Sequence, residues 1–254
     1  MKLVGVLCAR AASTRLPGKV LKDLCGAPML ERIIERVRAA SGLDALVVAT
    51  TTRPDCDPIE ALARRLGCAV FRGSEEDVLG RVRQAGRAAG ADAVVELNGD
   101  CPFLDPEVID RIAGAYRSGD YDVVSNGIER TYPMGLYVKA IRQASLDQAV
   151  RDTDDPYYHE HVGLYFYAHP EKFRITNILA PRDCYDPLLR LTVDTPEDFE
   201  LTRRLYEALH RPGRVFGLRE VLAYLREHPQ LRQLNAHVAG KVQFKIYPVE
   251  NYAA

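Results

Sequence analysis

Cationic and hydroxyl side chains are concentrated in one short stretch near the start of the chain, ARAASTRLPGKV (9–20). Within ten residues it has three cations and two hydroxyl groups, contributed by Arg10, Ser13, Thr14, Arg15 and Lys19. A charge-assisted hydrogen bond contributes about 1.5–3 kcal/mol, so three cations together can hold a polyphosphate that a single lysine cannot. A surface loop of solvated charges is the alternative. The stretch predicts a polyanion site if other elements place it at a ligand-binding edge.

The stretch does not match the common nucleotide-binding loops. In a Walker A loop the Gly–Lys pair is followed by Ser or Thr, but Lys19 is followed by Val20. Ser13 stands where the leading glycine of that loop is required. The chain also has no G-x-G-x-x-G fingerprint. A phosphate site at residues 9–20 is therefore expected to be of another kind.

Two aspartates are candidates for a metal site beside this stretch. Asp100 lies in LNGDCPFLDP (97–106) and Asp194 lies in LTVDTPED (191–198), and each follows a run of strand-forming residues. Mg²⁺ in proteins is held by one or two carboxylates together with phosphate oxygens. A turn or helix-capping aspartate is the alternative for each residue alone. Together with the cationic stretch, the pair predicts a magnesium-bound polyphosphate.

Strands and helices alternate in the first half of the chain. Short β-branched runs predict strands at 3–8, 45–50, 68–71 and 92–98, and amphipathic periodicity predicts helices at 28–40, 58–67 and 76–90. Such repeats indicate an α/β fold with a parallel sheet covered on both faces by helices. Ligands bind such sheets beyond the carboxyl ends of the strands. The cationic stretch and Asp100 both follow predicted strands, so we expect them at that edge.

The second half of the chain is less regular. Residues 121–126 and 189–194 have the pattern of further strands, and 195–209 that of a helix with Thr195 as its N-cap. Between these strands, 131–186 is rich in Tyr, Pro and His and has the character of an insertion over the sheet edge. Repeats and low-complexity segments are absent from the sequence. We therefore expect one domain with an elaborated face.

Composition limits the classes of partner. The chain has 254 residues, 47% of them hydrophobic, and a formal net charge of -1, so no overall field favours nucleic acid or an anionic membrane. The six cysteines are scattered, with no Cys-x-x-Cys pair, which argues against a zinc site or a disulfide framework. No apolar run approaches the length of a membrane span. A cytoplasmic protein is expected.

The motifs resemble one known family. LCARAASTRLPGKVL resembles the signature A-R-x-x-S-x-R-L-P-x-K of the cytidylyltransferases that activate ulosonic acids, and the later runs VFRGSEEDVLGR, NGDCPFLDPEVID, HEHV and VDTPEDFEL are similar to those of the spore coat polysaccharide biosynthesis protein F group. The resemblance covers residues 3–209. It implies the nucleotide-diphospho-sugar transferase fold, a Rossmann-like three-layer sandwich with a mostly parallel sheet. It further implies CTP as the nucleotide, dependence on Mg²⁺ and a homodimer.

The resemblance also assigns roles to individual residues. It implies catalytic roles for Arg15, Lys19 and Asp100, and metal binding by Asp100 and Asp194. The residues that it places around the nucleotide are Ala9, Arg10, Ser13, Arg15, Lys19, Gly73, Ser74 and Asn98. Ser74 has a second reading, because Asp77 follows it at capping-box spacing. That spacing favours a helix cap for Ser74, and the two roles are compatible.

The pattern departs from the family where the acceptor is expected. Related sequences carry an arginine and an acidic residue in a P-R-G-x-D stretch, but YPMGLYVK has Met134 and Tyr137 in those places. The pattern thus leaves several acceptors open, namely another acid, a polyol, a phosphate or a phosphonate, and Arg130 and Lys139 are the cations near enough in sequence to compensate. Candidate acceptor contacts are Tyr132, Met134, Tyr137, His159 and His161. A structural role is at least as well supported for either histidine.

The expected reaction is attack by an acceptor oxygen on the α-phosphorus of CTP, with release of pyrophosphate stabilised by Arg15 and Lys19. No general base is evident in the sequence. A glycosyltransferase-like protein that binds a sugar nucleotide is one alternative, although NGDCP supplies only one carboxylate of a D-x-D motif. A non-catalytic nucleotide-binding protein is another.

The expected layout is a single nucleotidyltransferase domain over 1–254. The nucleotide-binding half covers about 1–127, an acceptor-binding and dimerisation elaboration about 128–190, and C-terminal helices and a tail 195–254. The tail from 238 matches nothing in the family, so an extra strand, at a subunit interface or elsewhere, and a disordered terminus are both open.

Overall fold

A computed structural model describes residues 1–239 and the backbone of 245–246. In this part of the chain the strands are β1 Leu3–Cys8, β2 Ala45–Thr51, β3 Ala69–Gly73, β4 Ala93–Asn98, β5 Val123–Ser125, β6 Glu129–Arg130, β7 Lys139–Arg142, β8 Ile175–Asn177 and β9 Lys245–Ile246. The α-helices are α1 Met29–Arg38, α2 Asp57–Arg65, α3 Val78–Ala88, α4 Pro106–Ser118, α5 Gln143–Asp152, α6 Pro156–Glu160, α7 Leu164–Ala168, α8 Pro196–Leu209 and α9 Leu218–Glu227.

Seven of these strands form one twisted, mostly parallel sheet in the order β3-β2-β1-β4-β7-β5-β8. Strands β3, β2, β1 and β4 are parallel neighbours, whereas β7 runs antiparallel to both β4 and β5. The β-branched runs of the first half supply the four parallel neighbours β3, β2, β1 and β4, as their periodicity predicts. The predicted α/β class with a mostly parallel sheet is confirmed.

The sheet is buried on both faces. In β1, Leu3 and Leu7 pack into a core with α1, α2, α4, α8 and α9, whereas Val4 and Val6 pack into a second core with α3, α5 and α7. Alternate residues of a strand point to opposite faces, so a run that is apolar throughout fits a strand covered on both sides. The three-layer arrangement follows from this pattern.

Helix boundaries follow local signals, with one correction. Gly67 and Gly90 adopt left-handed φ angles of 71° and 65° just after α2 and α3, as expected of C-terminal glycines. Helix α3 begins at Val78, however, and its N-cap is Asp77, which accepts a hydrogen bond from the Gly80 N–H at 2.7 Å. The N-cap of α3 is therefore Asp77 and not Ser74, although the Ser74 Oγ does accept a hydrogen bond from the Asp77 N–H at the predicted spacing of three residues.

The predicted strand at 189–194 is also wrong. This segment is extended, but it forms only an isolated bridge between Arg190 and Met134. Its backbone instead bonds to neighbouring loops: the Leu191 N–H donates to the Met134 carbonyl at 2.7 Å, and the Val193 N–H donates to the Asp100 carbonyl at 2.8 Å. The segment therefore crosses the end of the sheet rather than joining it.

The carboxyl-terminal part contributes α8 and α9 to the core that contains Leu3 and Leu7, and β9 to a separate two-stranded sheet. Thr195 is the N-cap of α8, as predicted, and forms a capping box with Asp198. Within the predicted tail, β9 pairs in parallel with β6; residues 240–244 and 247–254 lie outside the described residues.

A search of the described residues finds no helix with the length and apolar character of a membrane span.

Candidate active site

A cleft of about 400 Å³ opens at the carboxyl ends of β1 and β4. It brings together residues that the sequence separates widely. The predicted site residues that line it are Ala9, Arg10, Ser13, Arg15, Lys19, Asn98, Asp100, Met134, Tyr137, His161 and Asp194. The edge expected from the parallel sheet is thus the edge at which these side chains meet.

The loop after β1 is folded so that its lysine points inward. Gly18 adopts a left-handed φ of 65° and begins a 3-10 turn over Lys19–Leu21. Leu16 and Val20 are buried in the core, which fixes the loop on either side of the turn. The Lys19 side chain is only 10% exposed as a result. Lys19, which its charge alone would place on a surface loop, is therefore part of the floor of the cleft.

The turn after β4 places Asp100 opposite this lysine. The Gly99 N–H donates to the Cys8 carbonyl at 2.8 Å. A Cβ at Gly99 would lie 2.8 Å from that same oxygen, so only glycine permits this approach of β4 to β1. The carboxylate of Asp100 then lies at the end of β4 with 34% of its side chain exposed. It is accessible to a ligand in the cleft.

Lys19 joins the two predicted metal ligands. Its Nζ donates to Asp100 Oδ2 at 3.2 Å, to Asp194 Oδ1 at 3.0 Å and to the Val193 carbonyl at 2.7 Å. Burial acts to lower the pKa of Lys19, but the two carboxylates outweigh it and hold that pKa above its ordinary value. The amine therefore stays charged throughout the physiological range.

Asp194 is held by arginines on its other side. Asp194 Oδ2 accepts from Arg190 Nη2 at 2.7 Å and lies 3.2 Å from Arg15 Nη2. Arg190 in turn forms two bonds to Asp198, at 2.8 Å and 3.0 Å, and Asp198 is buried at the start of α8. Burial acts to raise the pKa of Asp194, but Lys19 and Arg190 keep it below its ordinary value. Asp194 is therefore held in place through Arg190, which also bonds to Asp198 in the capping box of α8.

Three charged cleft residues, Arg81, Glu160 and Arg190, escaped prediction, whereas Arg130 is one of the two cations considered for the acceptor. Glu160 accepts a hydrogen bond from Arg10 Nη2 at 3.0 Å, which joins α6 to the loop after β1. The Arg130 guanidinium lies 5.0 Å from the centroid of the Tyr137 ring and belongs to the cleft, as do Arg81 and Arg190. The HEHV run draws attention to its histidines rather than to Glu160. Arg190 had one available signal, its position four residues before Asp194.

Four predicted residues lie elsewhere than in the cleft. Gly73 ends β3, and its carbonyl accepts from the Thr52 N–H at 3.1 Å; Ser74 Oγ accepts from the Asp77 N–H at 3.1 Å. Tyr132 is buried beside a second cavity. His159 lies with Nδ1 2.6 Å from Asp77 Oδ1. Their roles toward ligands stay predictions.

Lys139, one of the two cations considered for the acceptor, is likewise engaged. It is paired with the buried carboxylate of Glu96 within the sheet. Burial acts to lower the pKa of Lys139, but Glu96 raises it above its ordinary value. Of those two cations, only Arg130 lines the cleft.

The donor set fits a magnesium–phosphate complex. The described residues contain no group of three or more His, Cys, Asp or Glu side chains arranged around a metal position. Asp100 and Asp194, however, already share one cation, the Lys19 ammonium. Mg²⁺ is commonly held by one or two carboxylates with phosphate and water oxygens for the remainder. The residues present therefore suit a metal that is bound partly by a nucleotide.

Fold and site together define a nucleotidyltransferase: a cationic loop after β1 faces two carboxylates at the ligand edge of a mostly parallel sheet. A family model described as cytidylyltransferase matches residues 4–241. The chain therefore belongs to the cytidylyltransferase family, whose members are CTP-dependent nucleotidyltransferases. Related cytidylyltransferases typically use a divalent metal.

Individual relatives agree with this assignment. The chain is 35% identical over 236 residues to the spore coat polysaccharide biosynthesis protein SpsF of Bacillus subtilis, covering 88% of this chain and 94% of that protein. It is 29% identical over 238 residues to a 3-deoxy-manno-octulosonate cytidylyltransferase of Anaeromyxobacter dehalogenans, covering 80% and 97%. A solved cytidylyltransferase from Leptospira borgpetersenii superposes with a TM-score of 0.87 at 26% identity, covering 96% of this chain and all of that one.

Proposed function

We propose that this protein transfers CMP from CTP to an acidic sugar or sugar-like acceptor, with release of pyrophosphate, in the synthesis of a surface polysaccharide or glycoconjugate. The observation that carries the proposal is the position of Lys19 between Asp100 and Asp194 in the cleft that Arg10 and Arg15 also line. The names of the two curated relatives, a spore coat polysaccharide protein and a 3-deoxy-manno-octulosonate cytidylyltransferase, support the acceptor class.

The chain's own residues have assignable tasks in this reaction. An acceptor oxygen attacks the α-phosphorus, and the bond to the β-phosphate bridging oxygen breaks, so that pyrophosphate leaves with the electron pair. Arg15 and Lys19 donate to the leaving pyrophosphate as its charge develops, and Ser13 offers a further donor at the cleft wall. Mg²⁺, held by Asp100 and Asp194, would neutralise charge on the phosphates.

Arg130 favours an acidic acceptor. The family arginine that is replaced by Met134 would otherwise pair with the acceptor carboxylate, and Arg130 brings a guanidinium to the same cleft. Guanidinium groups bind carboxylates through paired hydrogen bonds. A phosphate or phosphonate satisfies the same guanidinium, so a cytidylyltransferase for such an acceptor is the second candidate. A polyol acceptor is the least favoured, because it carries no anionic group for a guanidinium to bind.

The test is pyrophosphate release by the purified protein with each ribonucleoside triphosphate and Mg²⁺. The acceptors are 2-keto acid sugars, sugar phosphates, a phosphonate and a polyol, and products are identified by mass. We expect release with CTP and an acidic sugar, giving a CMP-linked product. Release only with a phosphate or phosphonate would reassign the acceptor. No release with any pair, together with hydrolysis of a supplied sugar nucleotide, would favour the glycosyltransferase-like alternative.

A homodimer and a cytoplasmic location complete the proposal. The dimer rests on the family resemblance and is supported by the β8 edge, which within the described residues pairs only with β5. Exposed strand edges are common sites of association. Sedimentation velocity is expected to give twice the 28.4 kDa mass of one chain.

The cytoplasmic location rests on the cysteine pattern, since all six thiols are free in the structure.

A further inference from the structure

The Lys19 ammonium group already has its full set of hydrogen-bond partners. An ammonium group has three N–H donors, and Nζ of Lys19 has three oxygen acceptors, one from Asp100, one from Asp194 and the Val193 carbonyl, all within 3.2 Å. An N–H group of Lys19 can donate to a phosphate oxygen only when one of these three hydrogen bonds is broken. Lys19, which the resemblance assigns to the nucleotide, is thus the cation that Asp100 and Asp194 share in the structure.

The charges around this position are balanced. Asp194 is shared by Lys19, Arg15 and Arg190, and Arg190 is also paired with Asp198. With Asp100 included, three cationic side chains face three carboxylates. A free divalent ion entering here has to compete with an ammonium group about 3 Å from the same oxygens, where repulsion between like charges is strong. A metal–nucleotide complex differs, because its net charge is negative.

We propose that Lys19 is an internal counter-ion for Asp100 and Asp194, so that the divalent metal enters this site as a complex with CTP and not ahead of it. The incoming phosphates replace the carboxylates as partners of the Lys19 ammonium, and Asp100 and Asp194 would then be available to hold the metal. This inference rests on the proposed function, since it assumes that CTP occupies the cleft.

The side chain of Lys19 is suited to such an exchange. Lysine carries a compact charge on a flexible four-carbon stem, so it can change partners without movement of the backbone. The backbone of its turn is held independently, by a hydrogen bond of 2.9 Å from the Leu21 N–H to the Gly18 carbonyl and by the buried side chain of Val20. Arg190, in contrast, is fixed on two sides and stays with Asp194 throughout.

The test is the binding of Mn²⁺, which reports on the metal site without any turnover. Protein-bound Mn²⁺ is measured by ultrafiltration and electron paramagnetic resonance, with and without CTP, for the wild type, Lys19→Met and Lys22→Met. Lys22 is the matched control, because it is exposed and lies over the Phe199 ring rather than near a carboxylate. Lys19→Met combined with Asp100→Asn checks that any new metal site uses Asp100.

We expect the wild type and Lys22→Met to retain Mn²⁺ only when CTP is present. Lys19→Met leaves two carboxylates without their shared cation, so its affinity for free Mn²⁺ should rise about tenfold or more, and Asp100→Asn should reverse the gain. Wild-type protein that binds Mn²⁺ without CTP as tightly as with it would overturn the inference while the proposed function stands, and this comparison holds even if Lys19→Met fails to fold. No retention of Mn²⁺ by the wild type with CTP would contradict the proposed function itself.

Discussion

At the scale of single residues, the site works through charges that are paired before any ligand arrives. Arg10 is paired with Glu160, and Arg15 and Lys19 with Asp194. Each partner is an acidic side chain that a phosphate oxygen can replace. The free energy of binding is therefore a difference between two sets of ionic contacts, and is smaller than the sum of the new ones.

Replacement of Arg15 tests the cationic loop. Because Arg15 is one-third exposed and contacts Asp194 at 3.2 Å, Arg15→Ala should leave the fold intact. The loss of one charged hydrogen bond should weaken transition-state binding by about 1.5–3 kcal/mol, and kcat/KM for CTP should fall accordingly. Steady-state kinetics on Arg15→Ala measure this, with Arg64→Ala on the exposed face of α2 as control. Equal kcat/KM in the two variants would remove Arg15 from the mechanism.

Replacement of Asp100 tests the metal ligand. Asp100→Asn keeps the size of the side chain but removes the charge, so the protein should fold and lose Mg²⁺-dependent turnover. Activity is measured against Mg²⁺ concentration, with Asp55→Asn as a surface control, since Asp55 is exposed and pairs with the neighbouring Arg53. Full activity of Asp100→Asn at low Mg²⁺ would show that Asp100 does not bind the metal.

The residues of this site differ in how far sequence predicts them. Arg15, Lys19 and Asp100 lie in the loops that follow β1 and β4, so the rule for parallel sheets is enough to bring them together. Arg130 lies in the two-residue strand β6 and Glu160 in the five-residue helix α6, and elements this short show no periodicity that fixes the direction of a side chain. Their place in the cleft depends on long-range packing, which a single sequence does not encode in a readable pattern.

At the scale of elements, Asp105 shows how one side chain can fix two helices. Its Oδ1 accepts from the Glu107 N–H at 2.8 Å, which caps α4, and its Oδ2 accepts from the Leu218 N–H at 2.5 Å in the first turn of α9. The carboxylate is buried. An aspartate followed by proline is a common start of a helix, as here for α4, whereas the contact with α9 joins residues far apart in the sequence.

Removal of this shared cap should destabilise both helices. Asp105→Ala leaves two buried N–H groups without an acceptor, at about 1 kcal/mol for each cap, so we expect a loss of about 2 kcal/mol in the free energy of unfolding. Urea denaturation measures it. Asp105→Asn should lose less, because asparagine is also a good N-cap. An unchanged unfolding free energy in Asp105→Ala would contradict the shared cap.

His159 couples α6 to α3 in a pH-dependent way. Its two ring nitrogens both face acceptors, Asp77 Oδ1 at 2.6 Å and the Thr153 carbonyl at 2.8 Å, and a neutral imidazole can donate to only one of them. Burial acts to lower the pKa of His159, but these acceptors raise it above its ordinary value of 6.5. The stability that it adds is fully present below about pH 6.5 and is lost as the pH rises through the raised pKa.

Thermal unfolding between pH 5.5 and 9 tests this coupling. His159→Gln should lower the melting temperature at pH 5.5 and have a smaller effect at pH 9, because the wild type has lost the imidazolium there. His237→Gln, at an exposed position, serves as the control. A His159→Gln penalty that stays constant over this pH range would mean that the ring contributes by packing alone.

At the scale of the whole molecule, ligand binding should be visible as stability. CTP with Mg²⁺ at a hundred times its dissociation constant should add about 2.7 kcal/mol to the free energy of unfolding. Thermal unfolding with each of the four ribonucleoside triphosphates, with and without Mg²⁺, measures this, and we expect the largest shift from CTP with Mg²⁺. Equal shifts from all four would show that the cleft binds triphosphate without reading the base.

The fold as a whole was more predictable than its details. The β-branched runs of the first half and the amphipathic helices between them leave few arrangements other than a parallel sheet with two helical layers. The segment 189–194 alternates apolar and polar residues as a strand does, but it joins no sheet within the described residues. Its backbone donors are taken by Met134 and Asp100, a choice made by the surrounding loops rather than by its own residues.

The separation of the charged partners along the chain has a consequence for synthesis. Lys19 lies 81 residues before Asp100 and 175 before Asp194, and Arg10 lies 150 before Glu160. A ribosome therefore releases the three cations of the loop long before the carboxylates that neutralise them. During that interval the loop lacks the acidic partners that it has in the folded chain. The charge balance around Asp194 is complete only once Asp198, in the first turn of α8, has been made as well.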